Sequence, residues 1–223
     1  MKLFIDSANL KEIEDCLKKG VIQGITTNPS ILSKEPKTDF IEHIKKITEL
    51  CKSYKQEIPL SIEVLKEKPS DMIEEALEYK KKINYSNLNI KIPLVSFEEL
   101  EVIKKLTENG IKVNCTCLFN EAQCVIAALA GAKYVSLFRG RMKDTGIEAN
   151  QVISNTRKIL DKTELNTEII IGSIRGPKEI IESFLADADI VTASPQDIKK
   201  MAFHLKSVES NNQFLNDFKQ WLK

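Results

Sequence analysis

The chain has 223 residues and a mass of 25.3 kDa, which is enough for one large domain or two small ones. Its 33 basic and 32 acidic residues nearly balance and the basic ones are dispersed, so a nucleic-acid surface built on net positive charge is not expected. No apolar run approaches the roughly 18 residues that a membrane span needs, so no membrane partner is expected either.

The cysteines and the N-terminus indicate the compartment. Five cysteines are an odd number without framework spacing, which indicates reduced thiols. The N-terminus reaches a carboxylate at Asp6 too early for a signal peptide, so a cytoplasmic protein is expected. Cys115 and Cys117 alternate on one predicted strand with no histidine nearby, which leaves little room for tetrahedral metal coordination. We therefore expect no metal site at these cysteines.

Short β-rich runs alternate with amphipathic helical segments from one end of the chain to the other. Leu10, Ile13 and Leu17, for example, follow a helical period. Because a helical segment follows each strand, parallel strands with helical crossovers are expected. In chain order, the predicted strands span residues 2–5, 22–26, 59–64, 88–92, 111–116, 133–138, 168–172 and 189–192.

Eight βα units are the number that closes a (β/α)8 TIM barrel, and this α/β barrel is the predicted fold class. The alternative is a doubly wound open sheet. That alternative is disfavoured because no GxGxxG follows the first strand and no GxxxxGK[ST] occurs in the chain. A barrel of this length has short loops, so residues 1–223 are predicted to form a single domain.

Polar residues recur at the carboxyl ends of the predicted strands, which in a barrel converge on one mouth. A lone residue of this kind is usually a cap or a rim contact, but here the pattern covers seven strands. Charged and amide side chains are depleted in strands and costly to bury unpaired, so each needs a partner or a purpose. The residues are Asp6, Thr26, Thr27, Asn28, Glu63, Lys91, Asn114, Thr116, Ser136, Arg141, Ser173 and Arg175.

Lys91 is the most informative of these residues. Strand alternation places it on the same face as Asn89, opposite the flanking isoleucines and towards the barrel interior. Desolvation favours the neutral amine, which can attack a carbonyl and form an imine. Asp6 and Glu63 would supply a proton acceptor and a group that manages the water lost and gained with the imine. The alternative is a purely structural ion pair between Lys91 and one of these carboxylates.

A second group of residues indicates an anionic ligand. Arg141 and Arg175 follow consecutive strands, and barrels often bind phosphate through their late βα loops. Ser173 adds a hydroxyl donor to this group. A rim salt bridge is the alternative for the arginines.

These residues together resemble the transaldolase family, specifically its short form, which also contains the fructose-6-phosphate aldolases. The resemblance covers nearly the whole chain, and TTNPS at 26–30 followed by KIP at 91–93 is its most specific element. The resemblance implies the same (β/α)8 barrel that the alternation predicts. Further matching stretches are FIDSAN at 4–9, NCT at 114–116, residues 136–141 and SIR at 173–175.

The resemblance implies a Schiff-base transaldolase without cofactor. It would transfer a dihydroxyacetone unit from a ketose phosphate, such as fructose 6-phosphate or sedoheptulose 7-phosphate, to an aldose phosphate, as in the pentose phosphate pathway. Lys91 would form the imine, Asp6 would act on the C4 hydroxyl as the C3–C4 bond breaks, and Glu63 with Thr116 would position the catalytic water. The implied binding residues are Asn28, Asn114 and Ser136 for the dihydroxyacetone portion, and Arg141, Ser173 and Arg175 for the acid headgroup.

Two positions separate the subfamilies. By resemblance, transaldolases carry Glu and Phe where Glu63 and Phe138 stand, whereas fructose-6-phosphate aldolases tend to carry Gln and Tyr. Phe138 has no hydroxyl to reprotonate a bound enamine, so release of free dihydroxyacetone is the disfavoured alternative. A catalytically silent sugar-phosphate-binding protein is the competing class, and the retained lysine and carboxylates argue against it.

The chain departs from the family pattern SPFVGR, which reads SLFRGR at 136–141. Arg139 is therefore a second arginine next to the expected headgroup site. Strand alternation puts it opposite Phe138 and predicts a surface or interface residue. Otherwise Arg139 reshapes the anion site, and a sulfonated ketose such as 6-deoxy-6-sulfofructose becomes an alternative donor.

Residues 208–223 are predicted to form a C-terminal amphipathic helix. Phe214, Phe218 and Trp221 lie on one face of it, which is more apolar than a free tail needs. Packing on its own barrel is one interpretation. The resemblance implies another, exchange of this helix between the subunits of a pentamer or decamer.

Overall fold

A computed structural model describes residues 1–55 and 57–222 of the chain. Eight parallel strands close into a barrel in which each strand pairs with the next and the last pairs with the first. The predicted (β/α)8 fold class is therefore confirmed, and all eight predicted strands are present. The strands are β1 (Lys2–Asp6), β2 (Ile25–Thr26), β3 (Leu60–Glu63), β4 (Leu88–Pro93), β5 (Lys112–Leu118), β6 (Tyr134–Phe138), β7 (Glu168–Gly172) and β8 (Ile190–Ala193).

Eleven helices surround or follow the barrel within the described residues. Three of them begin after an asparagine that lies two or three residues beyond the end of a strand. Asn9 and Asn120 accept hydrogen bonds from backbone amides of the first helical turn (3.1 and 2.9 Å), which stabilises these helix starts at the barrel mouth. The helices are α1 (Leu10–Lys19), α2 (Pro29–Leu32), α3 (Phe40–Ser53), α4 (Pro69–Ile83), α5 (Glu99–Glu108), α6 (Glu121–Leu129), α7 (Arg139–Asp144), α8 (Ala149–Lys162), α9 (Pro177–Leu185), α10 (Pro195–Met201) and α11 (Leu205–Trp221).

The apolar core has two parts. The larger part packs the outer faces of the strands against the helices. The smaller part lies on the inward faces of β1, β6, β7 and β8 and closes the barrel below the mouth, so the polar residues above it stand on an apolar floor. Gly24 makes room for this floor, because a Cβ there would collide with the Phe4 ring. The floor residues are Phe4, Tyr134, Ile170 and Ile190.

The C-terminal helix α11 begins at Leu205, three residues before the predicted start, because the His204 Nδ1 atom accepts a hydrogen bond from the Lys206 amide (3.1 Å). Every residue of α11 is exposed, including Phe214, Phe218 and Trp221. Packing of this helix into the core of its own barrel is therefore not observed, and Lys223 lies outside the described residues. No described helix is both long and apolar enough to cross a membrane.

Candidate active site

A cavity of about 390 Å³ opens at the carboxyl ends of the strands. Ten of the eleven side chains predicted to form a site line this cavity, so the strand-end residues do converge. The ten are Asp6, Asn28, Glu63, Lys91, Asn114, Thr116, Ser136, Phe138, Arg141 and Ser173.

Lys91 lies at the centre of the mouth on β4 and is only 6% exposed. Its strand neighbours in register are Glu63 on β3 and Asn114 on β5, so all three side chains point into the barrel. The Lys91 Nζ atom lies 2.8 Å from Glu63 Oε2 and donates a hydrogen bond to the Thr27 carbonyl oxygen (2.9 Å). The ion pair considered in the sequence analysis is therefore present, at the edge of a cavity large enough for a small ligand.

Asp6 lies at the end of β1, next to Thr26 on β2. The Thr26 hydroxyl donates a hydrogen bond to Asp6 Oδ1 (2.7 Å) and lies 2.6 Å from the Thr192 hydroxyl. Burial raises the pKa of Asp6, and the Lys91 charge and the Thr26 hydrogen bond oppose this only in part. Asp6 is therefore a carboxyl group that holds its proton more tightly than an exposed aspartate does and can exchange it with a ligand in the cavity.

Glu63 and Thr116 lie on either side of Lys91. The Glu63 side chain is 16% exposed, so its carboxylate reaches the cavity while it contacts the lysine. Thr116 is fully buried, and within the described part of the chain its Oγ1 atom has no hydrogen-bond partner. An unpartnered hydroxyl beside a carboxylate and an amine can hold a water molecule or a substrate hydroxyl.

Three amide or hydroxyl side chains form a connected row below the mouth. The Ser136 hydroxyl donates to Asn114 Oδ1 (2.7 Å), and Asn114 Nδ2 donates to the Ser61 hydroxyl (3.3 Å). Across the cavity, Asn28 Oδ1 accepts a hydrogen bond from the Ile31 amide (3.0 Å) and so caps α2. The orientation of Asn28 is therefore fixed by its own helix, which leaves its amino group as the donor that can face a ligand.

The anion side of the cavity is formed where β6 and β7 end. The Arg141 guanidinium lies over the Phe138 ring, 4.9 Å from its centroid, and the Phe119 ring contacts Phe138 edge-on. Ser173 adopts a left-handed backbone conformation (φ 57°) directly after β7, which turns it into the cavity. One cation and one hydroxyl thus face the same part of the cavity.

Arg175 is the predicted site residue that does not line the cavity. Its guanidinium is 48% exposed and makes two hydrogen bonds with the carboxylate of Asp144, both 2.5 Å long. Arg175 therefore forms a salt bridge at the rim, which is the alternative given for it in the sequence analysis. The physical reason is that α7 ends beside the loop after β7, which places an aspartate within reach of the arginine.

Arg139 is not the surface residue that strand alternation predicted, and it takes no direct part in the anion site. It is 7% exposed and does not line the cavity. Strand alternation does not apply to it, because β6 ends at Phe138 and Arg139 is already the first residue of α7.

Two hydroxyl or thiol side chains that line the cavity, those of Thr192 and Cys117, were missed by the sequence analysis. Thr192 is a polar strand-end residue on β8, and the rule used for the other strands would have found it. Cys117 was treated as part of a regular strand, but β5 carries an irregularity between Cys115 and Leu118 and Cys117 is left-handed (φ 64°). Nothing in the sequence indicated that bulge. Burial raises the pKa of the Cys117 thiol, so it stays protonated at neutral pH.

The arrangement offers a buried amine, two carboxyl groups in different surroundings, an unpartnered hydroxyl and an arginine at the rim. These groups suit acid–base and carbonyl chemistry on a small anionic molecule. Among residues 1–55 and 57–222, no group of three or more His, Cys, Asp or Glu side chains is arranged to hold a metal ion.

A model of the transaldolase/fructose-6-phosphate aldolase family matches residues 3–222. The chain belongs to this family. A probable transaldolase of Clostridium acetobutylicum is 39% identical over 220 residues, which are 99% of this chain and 98% of that protein. A probable transaldolase of Thermodesulfovibrio yellowstonii is 37% identical over the full length of both chains, and one of Thermoplasma volcanium is 36% identical over 99% of this chain and 96% of that protein.

Among solved structures, this transaldolase/aldolase family member resembles thiamine phosphate pyrophosphorylase from Pyrococcus furiosus. The TM-score is 0.64, and the match covers 89% of this chain and 90% of that one. Sequence identity is only 11%, so this likeness concerns the barrel fold alone.

Proposed function

We propose that the protein is a class I transaldolase that moves a dihydroxyacetone unit from a ketose phosphate to an aldose phosphate through an imine on Lys91. One observation carries the proposal. The buried Lys91 amine and the Glu63 carboxylate are 2.8 Å apart in a cavity that also contains the separate carboxyl group of Asp6. A structural ion pair alone would not require this second carboxyl group or the open cavity above it.

Imine formation uses the contact between Lys91 and Glu63. Glu63 accepts a proton from the ammonium, and the neutral amine attacks C2 of the ketose to give a carbinolamine. Glu63 then returns this proton to the carbinolamine hydroxyl, which leaves as water and gives the protonated imine. The unpartnered Thr116 hydroxyl supports a role in holding that water.

Bond cleavage requires a base at the C4 hydroxyl. In the proposal Asp6 removes this proton, the C3–C4 bond breaks, and the electron pair moves into the imine to give an enamine. With fructose 6-phosphate the released product is glyceraldehyde 3-phosphate. Addition of the enamine to another aldose phosphate, with Asp6 returning the proton, followed by hydrolysis of the imine, completes the transfer. The raised pKa of Asp6 supports both directions of this proton exchange.

Transfer is favoured over release of free dihydroxyacetone because of Phe138. Its ring lines the cavity and carries no proton for the enamine. We expect Phe138→Tyr to form free dihydroxyacetone from fructose 6-phosphate without an acceptor, faster than the wild type does. Phe119→Tyr is the matched control, since Phe119 packs behind Phe138 with ring centroids 6.0 Å apart. Equal release by both variants would contradict this role of Phe138.

A phosphate headgroup is preferred over a sulfonate. A sulfonated donor would require Arg139 to contact the headgroup, and Arg139 does not line the cavity. Arg141 and Ser173 support the binding of a phosphate group by charge and hydrogen bonds. The cytoplasmic location and the reducing compartment expected from the sequence remain predictions.

The test of the proposed function is transfer from fructose 6-phosphate to an aldose phosphate by the wild type and by Lys91→Met. Methionine has a similar length but no amine, so activity is expected to fall by a factor of about 10⁴ or more. Lys112→Met is the control, because Lys112 lies on the neighbouring strand β5 and is exposed outside the cavity. Retained transfer by Lys91→Met would contradict the proposal.

A homo-oligomer is part of the proposal. Helix α11 exposes an apolar face that its own barrel does not cover, and an exposed apolar face of this kind favours association. We propose that a second copy of the chain covers it. A pentamer or decamer remains the expectation from the resemblance.

A further inference from the structure

Arg139 makes more polar contacts than any role assigned so far requires. Its Nη1 atom donates to Asn150 Oδ1 (2.6 Å) and to the Ser183 hydroxyl (3.3 Å), and its Nη2 atom lies 2.6 Å from Glu182 Oε2. Asn150 belongs to α8, and Glu182 and Ser183 belong to α9. One guanidinium group therefore joins the first residue of α7 to two neighbouring helices.

Arg139 and Arg141 lie on the same turn of α7, so the contacts of one affect the orientation of the other. Helix α7 follows β6 without a loop, so the orientation of its first turn decides where the next side chains point. Residues 139 and 141 are about 200° apart around an α-helix and lie on opposite faces. Arg139 faces α8 and α9, and Arg141 faces the cavity. The anchor of Arg139 thus fixes the rotation of the turn that carries Arg141.

Helix α9 also contacts the loop after β7, which carries Ser173. The Glu179 carboxylate accepts a hydrogen bond from the Arg175 amide (2.8 Å), which fixes the loop after β7. The Gly140 amide donates to the Ser173 carbonyl oxygen (2.9 Å), which joins that loop to α7. Arg141 and Ser173 are therefore both positioned with reference to α9.

We propose that Arg139 is a positioning residue for substrate binding, which holds Arg141 and Ser173 in the geometry that receives the acid headgroup. The inference rests on the proposed function, in which that headgroup is a phosphate. A guanidinium is suited to the task because its fork reaches acceptors on two helices at once, whereas a lysine ammonium is a single point of charge.

The test compares Arg139→Gln and Arg139→Lys with the wild type in two reactions. One is transfer from fructose 6-phosphate, which needs the headgroup site. The other is borohydride-dependent modification of the enzyme by dihydroxyacetone, which has no headgroup. Arg157→Gln is the control, because Arg157 is another largely buried, ion-paired arginine but lies at the opposite end of the barrel, beside Asp189.

We expect Arg139→Gln to raise the KM for fructose 6-phosphate at least about tenfold and to change modification by dihydroxyacetone by less than about twofold. The KM of Arg139→Lys should lie between those of Arg139→Gln and the wild type, and Arg157→Gln should have the KM of the wild type. An unchanged KM in Arg139→Gln, or an equal loss in both reactions, would overturn the inference. If Arg139→Gln does not fold, Glu182→Ala removes the ionic partner and is measured in the same way.

The change in Tm on adding inorganic phosphate distinguishes a failure of this inference from a failure of the proposed function. Phosphate is expected to raise the Tm of the wild type and of Arg157→Gln, and to raise that of Arg139→Gln much less. Equal increases in all three proteins would overturn the role of Arg139 alone. No increase in the wild type would overturn the headgroup site itself, and with it both proposals.

Discussion

Asp6 and Glu63 are two carboxyl groups in one cavity with different surroundings. Burial raises the pKa of Asp6, and its hydrogen bond from Thr26 leaves one carboxyl oxygen available to a ligand. Glu63 instead contacts the Lys91 amine directly. Carboxyl groups placed in such different environments can act as separate acids and bases in one reaction.

Replacing Asp6 is expected to lower activity and to raise stability. Asp6→Asn keeps the side-chain volume and an acceptor for Thr26 but removes the proposed base, so kcat should fall by about 10²–10⁴. A raised pKa means that the folded state binds the proton more tightly than the unfolded state. Wild-type stability therefore falls as pH rises from the ordinary carboxyl pKa through the raised one.

The variant does not lose this stability, so its free energy of unfolding should exceed that of the wild type at pH 8, and by a smaller margin at pH 4. Denaturant unfolding at both pH values measures the difference. A variant less stable than the wild type at pH 8 would contradict the account of Asp6.

At the scale of elements, the close approach of α7 to the loop after β7 depends on Gly140. A Cβ at this position would collide with the Ser173 carbonyl oxygen and approach the Arg175 side chain. Since Ser173 lines the cavity in a strained, left-handed conformation, displacement of this loop should disturb headgroup binding before it disturbs the imine chemistry.

We therefore expect Gly140→Ala to raise the KM for fructose 6-phosphate by a factor of about 10 or more. Modification by dihydroxyacetone with borohydride should persist. Steady-state kinetics on the purified, folded variant provides the measurement. A KM equal to that of the wild type would show that the contact does not control the headgroup site.

Asn28 has two proposed roles that substitutions can separate. Its side-chain oxygen caps helix α2, and its amino group can donate a hydrogen bond to a ligand. Asn28→Asp keeps the oxygen that accepts from the Ile31 amide and loses the amino group, whereas Asn28→Ala loses both. Both variants should weaken transfer, but only the alanine variant should also lose about 1 kcal/mol of stability. Activity and unfolding measured together test this pair. Full activity in Asn28→Asp would show that Asn28 acts only as a cap.

The two-residue alternation of a strand correctly predicted which strand side chains point into the barrel. It placed Lys91 inside the barrel, and parallel register then brought Glu63 and Asn114 beside it. The pattern failed where the period changes. Arg139 begins a helix directly after a strand, and Cys117 lies in a bulge. The pairing of Arg175 with Asp144 joins residues 31 apart in sequence, which no local pattern reports.

At the scale of the whole molecule, α11 is the feature that a single barrel leaves unexplained. Its aromatic residues are exposed, and Phe218 stacks on Trp221 with ring centroids 5.8 Å apart. Replacing both with lysine removes apolar surface without touching the barrel core. We expect this double variant to form a smaller assembly than the wild type in light scattering, with the barrel still folded. A monomeric wild type at micromolar concentration would contradict the proposed oligomer.

The imine on Lys91 is the central claim, and it is tested most directly by reduction with borohydride in the presence of fructose 6-phosphate. The reduced protein is analysed by intact mass and peptide mapping. A reduced three-carbon adduct on Lys91, absent without the sugar, is the predicted result. A folded wild type that carries no adduct, or carries it on another lysine, would show that the contact between Lys91 and Glu63 is a structural ion pair.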